Sequence, residues 1–356
     1  MINLFESTDR SFATLGLGTL HPTKCEITRN VVGTWELLME IPAEDKYAKS
    51  IRPQMILYAT VDDKGHREPF EVVKIAPASG GKITVTAWHV FYQTQWLIVA
   101  PFTVANLGDA LDGLRDNLVL TQSSEFTLAT DLPASTAGDF AVKLPSPLKT
   151  VLQGAEGSIV DTYGGEWDYT GWTARLKQRI GADTEVIVRT SKNLLSYAIK
   201  MDSSKHWTGV VAYYHTDEAT VYSNVITVPG TASQQRRPKV IDATEDFDSV
   251  PTDYQLNSWA MAYAQRNGSA DIKQTIKFSM AALWQTEEYK SLAALEQLSL
   301  GDSFRLVIPE YEIDEETRLV ETVYDERTNR YKALTAGTIE RNFVQQVYQG
   351  IRKSGG

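Results

Sequence analysis

Asp161, Glu166 and Asp168 lie close together in the sequence, beside Gly164-Gly165 and Trp167. Glycoside hydrolysis needs two carboxylates, one to protonate the leaving oxygen and one to act as base or nucleophile. The same residues also read as a helix end followed by an exposed strand with acids on alternate positions, and that reading is favoured. Trp167 and Trp172 would alternatively serve as a glycan-binding platform without turnover. Cys25, the only cysteine, would need His89 as its base and a setting that lowers its pKa. It falls on an expected strand rather than at a helix N-terminus, which argues against a cysteine nucleophile.

Other chemical signatures are missing. The five histidines, at 21, 66, 89, 206 and 215, are scattered and form no zinc-binding helix. Gly80-Gly81-Lys82 lacks the upstream glycine of a phosphate loop, and Gly16-Leu17-Gly18 lacks the third glycine of a dinucleotide turn. No serine nucleophile elbow is present. Glu310, Glu312, Asp314, Glu315 and Glu316 do not have the ligand spacing of a calcium loop. They read as a solvated hairpin tip, or as an acidic lining if the tip faces a channel. No catalytic, cofactor-binding or metal-binding residue is therefore assigned.

The chain has 356 residues, 42% hydrophobic and 22% charged, enough for two or more domains with a sizeable core. Eight Trp and sixteen Tyr suit β-structure and large interfaces. A net charge of −10 argues against a general nucleic-acid-binding surface. The densest basic cluster, Arg236-Arg237-Pro238-Lys239, reads as a surface loop. A single cysteine excludes an intramolecular disulfide. The N-terminal residues lack a secretory pattern. The longest apolar run, Trp96 to Val104, is broken by Pro101 and too short to span a bilayer, so synthesis in a cytoplasm is expected.

The elements that position these residues are mostly strands. Trp35, Leu37, Met39 and Ile41 alternate with Glu36, Leu38 and Glu40, which predicts a strand with one buried face; Lys24 to Arg29 alternates too, with a turn at Val31 to Thr34. A meander from Ile51 to Ala87 adds three strands, and a small barrel would remove the unpaired edges. Asn106 caps a predicted helix with Leu107, Ala110, Leu111, Leu114 and Leu118 on one stripe. Ser146 before Pro147 predicts a second helix, with Leu148, Val151, Leu152, Ala155 and Ile159 apolar, ending near Tyr163-Gly164-Gly165. Gln122 to Lys143 receives no element.

From Glu166 the pattern is β again, through Thr173 to Ile180 and Val186 to Arg189. A strand pair follows, Leu195 to Met201 and Thr208 to Tyr214, across the turn Asp202 to His206. Pro229 to Asp248 reads as a link, Thr252 and Gln255 as a capping box, and Asp271 to Met280 as a strand. A second meander runs from Leu298 to Gly337, with Val323 to Tyr331 matching the separation of Ile75 and Ile83. The two meanders are either an internal repeat of small barrels or two unrelated units with common spacing.

Several of these features, in order, resemble the prophage endopeptidase tail family, the hub regions of siphophage tail-associated lysins. The residues that carry the resemblance are Tyr163-Gly164-Gly165-Glu166, Lys192-Asn193-Leu194 with Thr208, Leu300-Gly301-Asp302, Arg318, Tyr324-Asp325 and Tyr331. It spans Ile2 to about Phe343. The family commonly has Gly where Ser191 stands. Its lysin members carry a peptidoglycan hydrolase after the hub, and this sequence ends at Gly356.

The resemblance implies an α+β, mainly β, baseplate-hub-like fold. Two small β-barrel domains, 1–100 and 186–230 with 296–340, would combine with mixed α/β domains, 101–185 and 231–295, and 341–356 would be a tail or linker. It further implies a homotrimeric ring that closes the tail tube of a bacteriophage and adapts a sixfold tube to a threefold tip. The implied partners are a distal tail protein or tail tube, tape-measure protein, and phage DNA passing without sequence-specific binding. The setting would be the virion, after synthesis in the host cytoplasm. The expectation is a structural protein without enzymatic activity or cofactors. The alternative is a cell-wall hydrolase or a glycan-binding tail protein.

Overall fold

The computed structural model describes residues 1–78, 80–119, 126–204, 206–230, 237–268, 273–285 and 297–337. The N-terminal region is a run of strands: β1 (Ile2–Phe5), β2 (Gly18–Leu20), β3 (Lys24–Asn30), β4 (Trp35–Pro42), β5 (Ile56–Thr60), β6 (Arg67–Ala78) and β7 (Lys82–His89). β4 follows its alternation, with Trp35, Leu37, Met39 and Ile41 all buried. β3 and β4 pair from Lys24↔Glu40 to Arg29↔Trp35, which places the hairpin turn where Gly33 permits it.

A mixed region follows: β8 (Ile98–Val99), β9 (Phe102–Asn106), α1 (Leu107–Asp116), β10 (Thr127–Thr130), β11 (Ala137–Val142), β12 (Ser146–Pro147), α2 (Leu148–Leu152), α3 (Ile159–Tyr163), β13 (Glu166–Thr170) and β14 (Thr173–Lys177). Asn106 Oδ1 accepts the Asp109 amide at 2.9 Å, and α1 buries Leu107, Ala110, Leu111 and Leu114 as its stripe predicts. The single helix expected after Pro147 is two short ones. Gly154 and Gly157, at φ 90° and 73°, turn the chain out of helix, and Ser158 starts α3 with its own cap. Ser146 does not cap; its hydroxyl donates to the Leu144 carbonyl. The stretch left without an element supplies β10, parallel to β14, and β11, antiparallel to β9.

The remaining elements are β15 (Asp183–Arg189), β16 (Leu194–Asp202), β17 (Gly209–His215), β18 (Thr220–Tyr222), β19 (Ile226–Thr227), β20 (Pro238–Asp242), α4 (Asp253–Asn267), β21 (Lys273–Met280), β22 (Ser303–Ile308), β23 (Ile313–Asp325) and β24 (Arg330–Gly337). The Thr252 capping box on α4 is formed as expected. The expected β16–β17 hairpin is not. β16 pairs with β21, and β17 has both edges filled: Gly209 faces Thr227 and Pro238, while Tyr213 faces Tyr222 and Asp242. The C-terminal tail expected at 341–356 lies outside the described residues.

The fold is mainly β. Its largest sheet runs β16-β21-β24-β23-β3-β4-β7-β6-β5-β1-β2, with β22 against β23 and β15 against β22. This corrects the expectation of two closed barrels. The second half of β23 pairs with β3 and joins the two meanders into one path, and among the described residues no pair closes either into a ring. Contacts divide the chain into two compact units, Met1–Ala198 with the chain from Lys277 onward, and Ile199–Ile276. In the first, the inner faces of β1 and β3–β7 share one core with α1–α3 and with Trp167 and Tyr169 of β13. In the second, α4 packs Leu256, Ala260 and Ala264 against Val210 and Ala212 of β17.

Candidate functional site

The carboxylates that could have formed a hydrolytic pair are each committed elsewhere. α3 ends at Gly164 and Gly165, both at positive φ; a Cβ on Gly165 would stand 2.6 Å from the Lys177 carbonyl oxygen, so only glycine turns the chain into β13 here. That turn aims Glu166 at Arg318 of β23. Both guanidinium Nη atoms donate to the Glu166 carboxylate at 2.6 Å, and the Ile180 amide adds a third donor at 2.8 Å. Arg318 also donates to the carbonyls of Gly301 at 2.8 Å and Ile180 at 2.7 Å. A carboxylate gripped by a bidentate guanidinium holds two chain segments together.

The joint continues outward. Asp302 accepts from the amides of Ala182 at 2.8 Å and Ser299 at 2.7 Å. Gly181 and Gly301 make the closest approach: a Cβ on Gly181 would lie 2.1 Å from the Gly301 carbonyl carbon. Arg179 reaches Asp183, the Gly301 carbonyl and Ser303 Oγ. Sequence stretches more than a hundred residues apart, Tyr163–Glu166 and Leu300–Asp302 with Arg318, are thus one polar joint. It clamps the start of β13 and the chain after β14 to the second meander.

Asp161 accepts the Gly157 amide and serves the first turn of α3. Asp168 holds Arg29 and Lys177, both at 2.8 Å. Trp167 is buried and donates to the Leu152 carbonyl, so it offers no surface to a glycan. Cys25 is buried in β3; burial, with the Asp325 charge adding to it, pushes its thiol up to about 12, the reverse of what a nucleophile needs. His89 is fully buried, stacked on Trp35 at 4.0 Å. Its Nδ1 accepts the Phe91 amide, so the proton sits on Nε2, which donates to Glu68 at 3.1 Å. Burial lowers its pKa, with Glu68 opposing. This histidine orders the core.

Of the acids expected at a hairpin tip, only Glu310 and Glu312 lie in the turn, Glu312 in a left-handed conformation after Pro309–Tyr311; Asp314, Glu315 and Glu316 are exposed residues of β23 paired with β22, and Asp314 holds Arg305 through two hydrogen bonds. His21, His66 and His215 bond Asp45, Asp62 and Thr220. Among the described residues no group of His, Cys, Asp and Glu has the arrangement of a metal site, and no helix is long and apolar enough to cross a membrane. Asn193 is buried and closes the turn before β16, accepting from the Arg189 amide and donating to the Ile187 carbonyl. Thr208, in the other unit, accepts the Arg237 amide. Tyr324 and Tyr331 face each other across β23 and β24, edge to face at 5.6 Å.

One constellation had no sequence signal. The Phe12 ring lies between Tyr58, 4.5 Å away at 14°, and Trp172, 6.0 Å away at 12°. Arg10 sits over Trp172 and Arg67 over Tyr58. The five residues come from three distant segments, which no local pattern brings together.

No family model matches the chain, and no curated protein matches it. Solved structures do. A prophage tail protein of Listeria monocytogenes superposes with a TM-score of 0.58 at 13% identity, covering 100% of this chain and 99% of that one. A 43 kDa prophage tail protein of Shewanella oneidensis gives 0.60 at 11%, covering 91% and 94%. A tail protein of Neisseria meningitidis gives 0.59 at 10%, covering 95% and 96%. The fold is that of prophage tail proteins. At these identities the likeness is one of fold, and both chains are matched over nearly their whole length.

Proposed function

We propose that this chain is a structural hub of a bacteriophage tail tip, a homotrimeric ring that closes the tail tube and adapts a sixfold tube to a threefold tip. The observation that carries the reading is the near end-to-end fold match to three prophage tail proteins. In this reading each meander supplies one β lobe, and the mixed region after the first meander and the compact unit Ile199–Ile276 are the parts of the chain outside the lobes. Three chains then present six lobes around a channel for tape-measure protein and DNA, against a distal tail protein or the tube. A net charge of −10 suits a channel that nucleic acid passes without sticking.

The role in this reading is structural rather than enzymatic, in the virion, and the commitment of Glu166 to Arg318 weighs against a hydrolase built on that residue. Light scattering on a size-exclusion column is expected to give three chains per particle, and electron microscopy a threefold ring with a central hole or plug. A monomer at tens of micromolar together with no ring on the grid would overturn the proposal.

A further inference from the structure

The largest sheet contains the same five-strand unit twice. β3, β4, β5, β6 and β7 follow one another in the chain and stand side by side as β3-β4-β7-β6-β5; β16, β21, β22, β23 and β24 stand as β16-β21-β24-β23-β22. The match reaches single bonds. Beside the bulge of β6, Val72 donates its amide to the Met55 carbonyl and accepts the Gln54 amide; beside that of β23, Leu319 exchanges the same two bonds with Asp302 and Gly301. Gln54 and Gly301, at φ 70° and 90°, are both left-handed. A left-handed residue at the same bond in both units is more than common strand spacing supplies.

The two units differ in what lies past the bulge. β23 takes β3 along this edge: Val31 donates to the Val320 carbonyl at 3.1 Å, and the pairs run from Glu321↔Asn30 to Asp325↔Glu26. The same edge of β6, from Val73 to Ala78, has no strand beside it among the described residues. β16, which holds the place of β3 in its own unit, pairs only with β21 among the described residues and ends the sheet. Its segment Leu194–Ala198 contains no charge and no proline, two common means of blunting an edge, and leaves Leu195 69% exposed. The two open edges are therefore the halves of a junction that the chain has already made once, between β23 and β3.

We propose that β16 of one copy pairs along the outer edge of β6 in a second copy, as β3 pairs along β23 within the chain. This rests on the homo-oligomeric reading above and names the surfaces that would carry it. The occupant is a second copy because the strand missing beside β6 is the first strand of a five-strand unit, and β16 is the first strand left unmatched. The contact is head to tail: each copy offers β16 to one neighbour and β6 to the other, the kind of contact from which rings are built. Pro77 has no amide to give, so the pairing centres on Val73 to Ala76.

Benzoylphenylalanine at position 195, irradiated in the assembled protein, is expected to join one chain to the Val73–Ala78 stretch of another, read by mass spectrometry of the cross-linked peptides. Leu195→Asp is expected to weaken assembly at least tenfold, while Leu144→Asp, at a site 72% exposed and outside the junction, leaves it unchanged. Both side chains face solvent in the single chain, so neither change empties its core. An oligomer whose cross-links from position 195 stay within one chain or miss β6, or one that Leu195→Asp weakens no more than Leu144→Asp does, overturns this junction and leaves the hub reading standing. A chain that stays monomeric and forms no ring overturns both.

Discussion

The two meanders share a wiring plan and are held by different physics. β6 pairs its first residues with β5 and its later ones with β7, with a bulge between Val72 and Lys74. β23 pairs its first residues with β22 and its later ones with β24, with a bulge between Leu319 and Glu321. In each, a bulge lets one long strand bend and change partners. Around β6 most inward side chains are apolar and buried, Phe70 standing edge-on to Trp35 and His89, and Glu68 is the buried charged exception, bonded to His89. Around β23 the first half is exposed and acidic, and Arg318 anchors the middle in the polar joint. Topology therefore fixes which strands meet without fixing what makes the meeting stable. The first meander relies mainly on non-directional burial, whereas the middle of the second is anchored by a cluster of directional bonds.

The sharpest way to break that contrast is to remove one residue from each. Phe70→Ala empties a fully buried site in the first meander and is expected to cost about 3–5 kcal/mol in urea unfolding. Arg318→Ala strands Glu166 and two carbonyls and is expected to cost about 3 kcal/mol, since breaking a mostly buried pair leaves a charge without its partner. Arg305 makes a similar two-bonded pair with Asp314 at an exposed site, and Arg305→Ala is expected to leave the midpoint unchanged. Equal losses from the two arginines would mean that burial is not what separates the joint from an ordinary surface pair.

Much of this contrast was legible in advance. The alternation in β4, the Asn106 and Thr252 caps and the strands of both meanders follow from local pattern, because period and capping are short-range properties. The joint was visible only as separate fragments: Tyr163-Gly164-Gly165-Glu166 and Leu300-Gly301-Asp302 show glycines and acids without showing that they meet. Pairing was the least legible. Nothing local says that β17 fills its edges with β18, β19 and β20, or that β23 lies against β3 and opens the expected barrels into one sheet. The helix break after α2 was readable in principle from Gly154 and Gly157, but the apolar stripe through Ala155 and Ile159 outweighed it.

A smaller effect distinguishes the meanders by pH. His89, at the end of β7, is buried and neutral, with its pKa lowered by desolvation, and the second meander contains no histidine. The folded pKa lies below the unfolded value of about 6.5, so the unfolded chain takes up the proton first. His89 therefore supports stability fully above about pH 6.5 and loses that support as pH falls. The urea midpoint is expected to drop between pH 7.5 and 5.5 more steeply in the wild type than in His89→Gln. Parallel slopes would remove His89 as the source of acid sensitivity in the first meander.

A small gain rather than a loss is expected in the turn that leads from β15, the neighbour of β22, into β16. Ser191 has a φ of 70°, in the region where a Cβ crowds the backbone, and Asn193 fixes that geometry through its bonds to Arg189 and Ile187. Glycine adopts this angle without strain. Ser191→Gly removes the strain but adds freedom to the unfolded chain, so the net gain is expected to be about 0.5–1 kcal/mol, read as a higher urea midpoint. A loss of stability would show that the serine hydroxyl contributes more to this turn than its backbone strain costs. The directional bonding that characterises the second meander would then extend one turn further than the Arg318 joint.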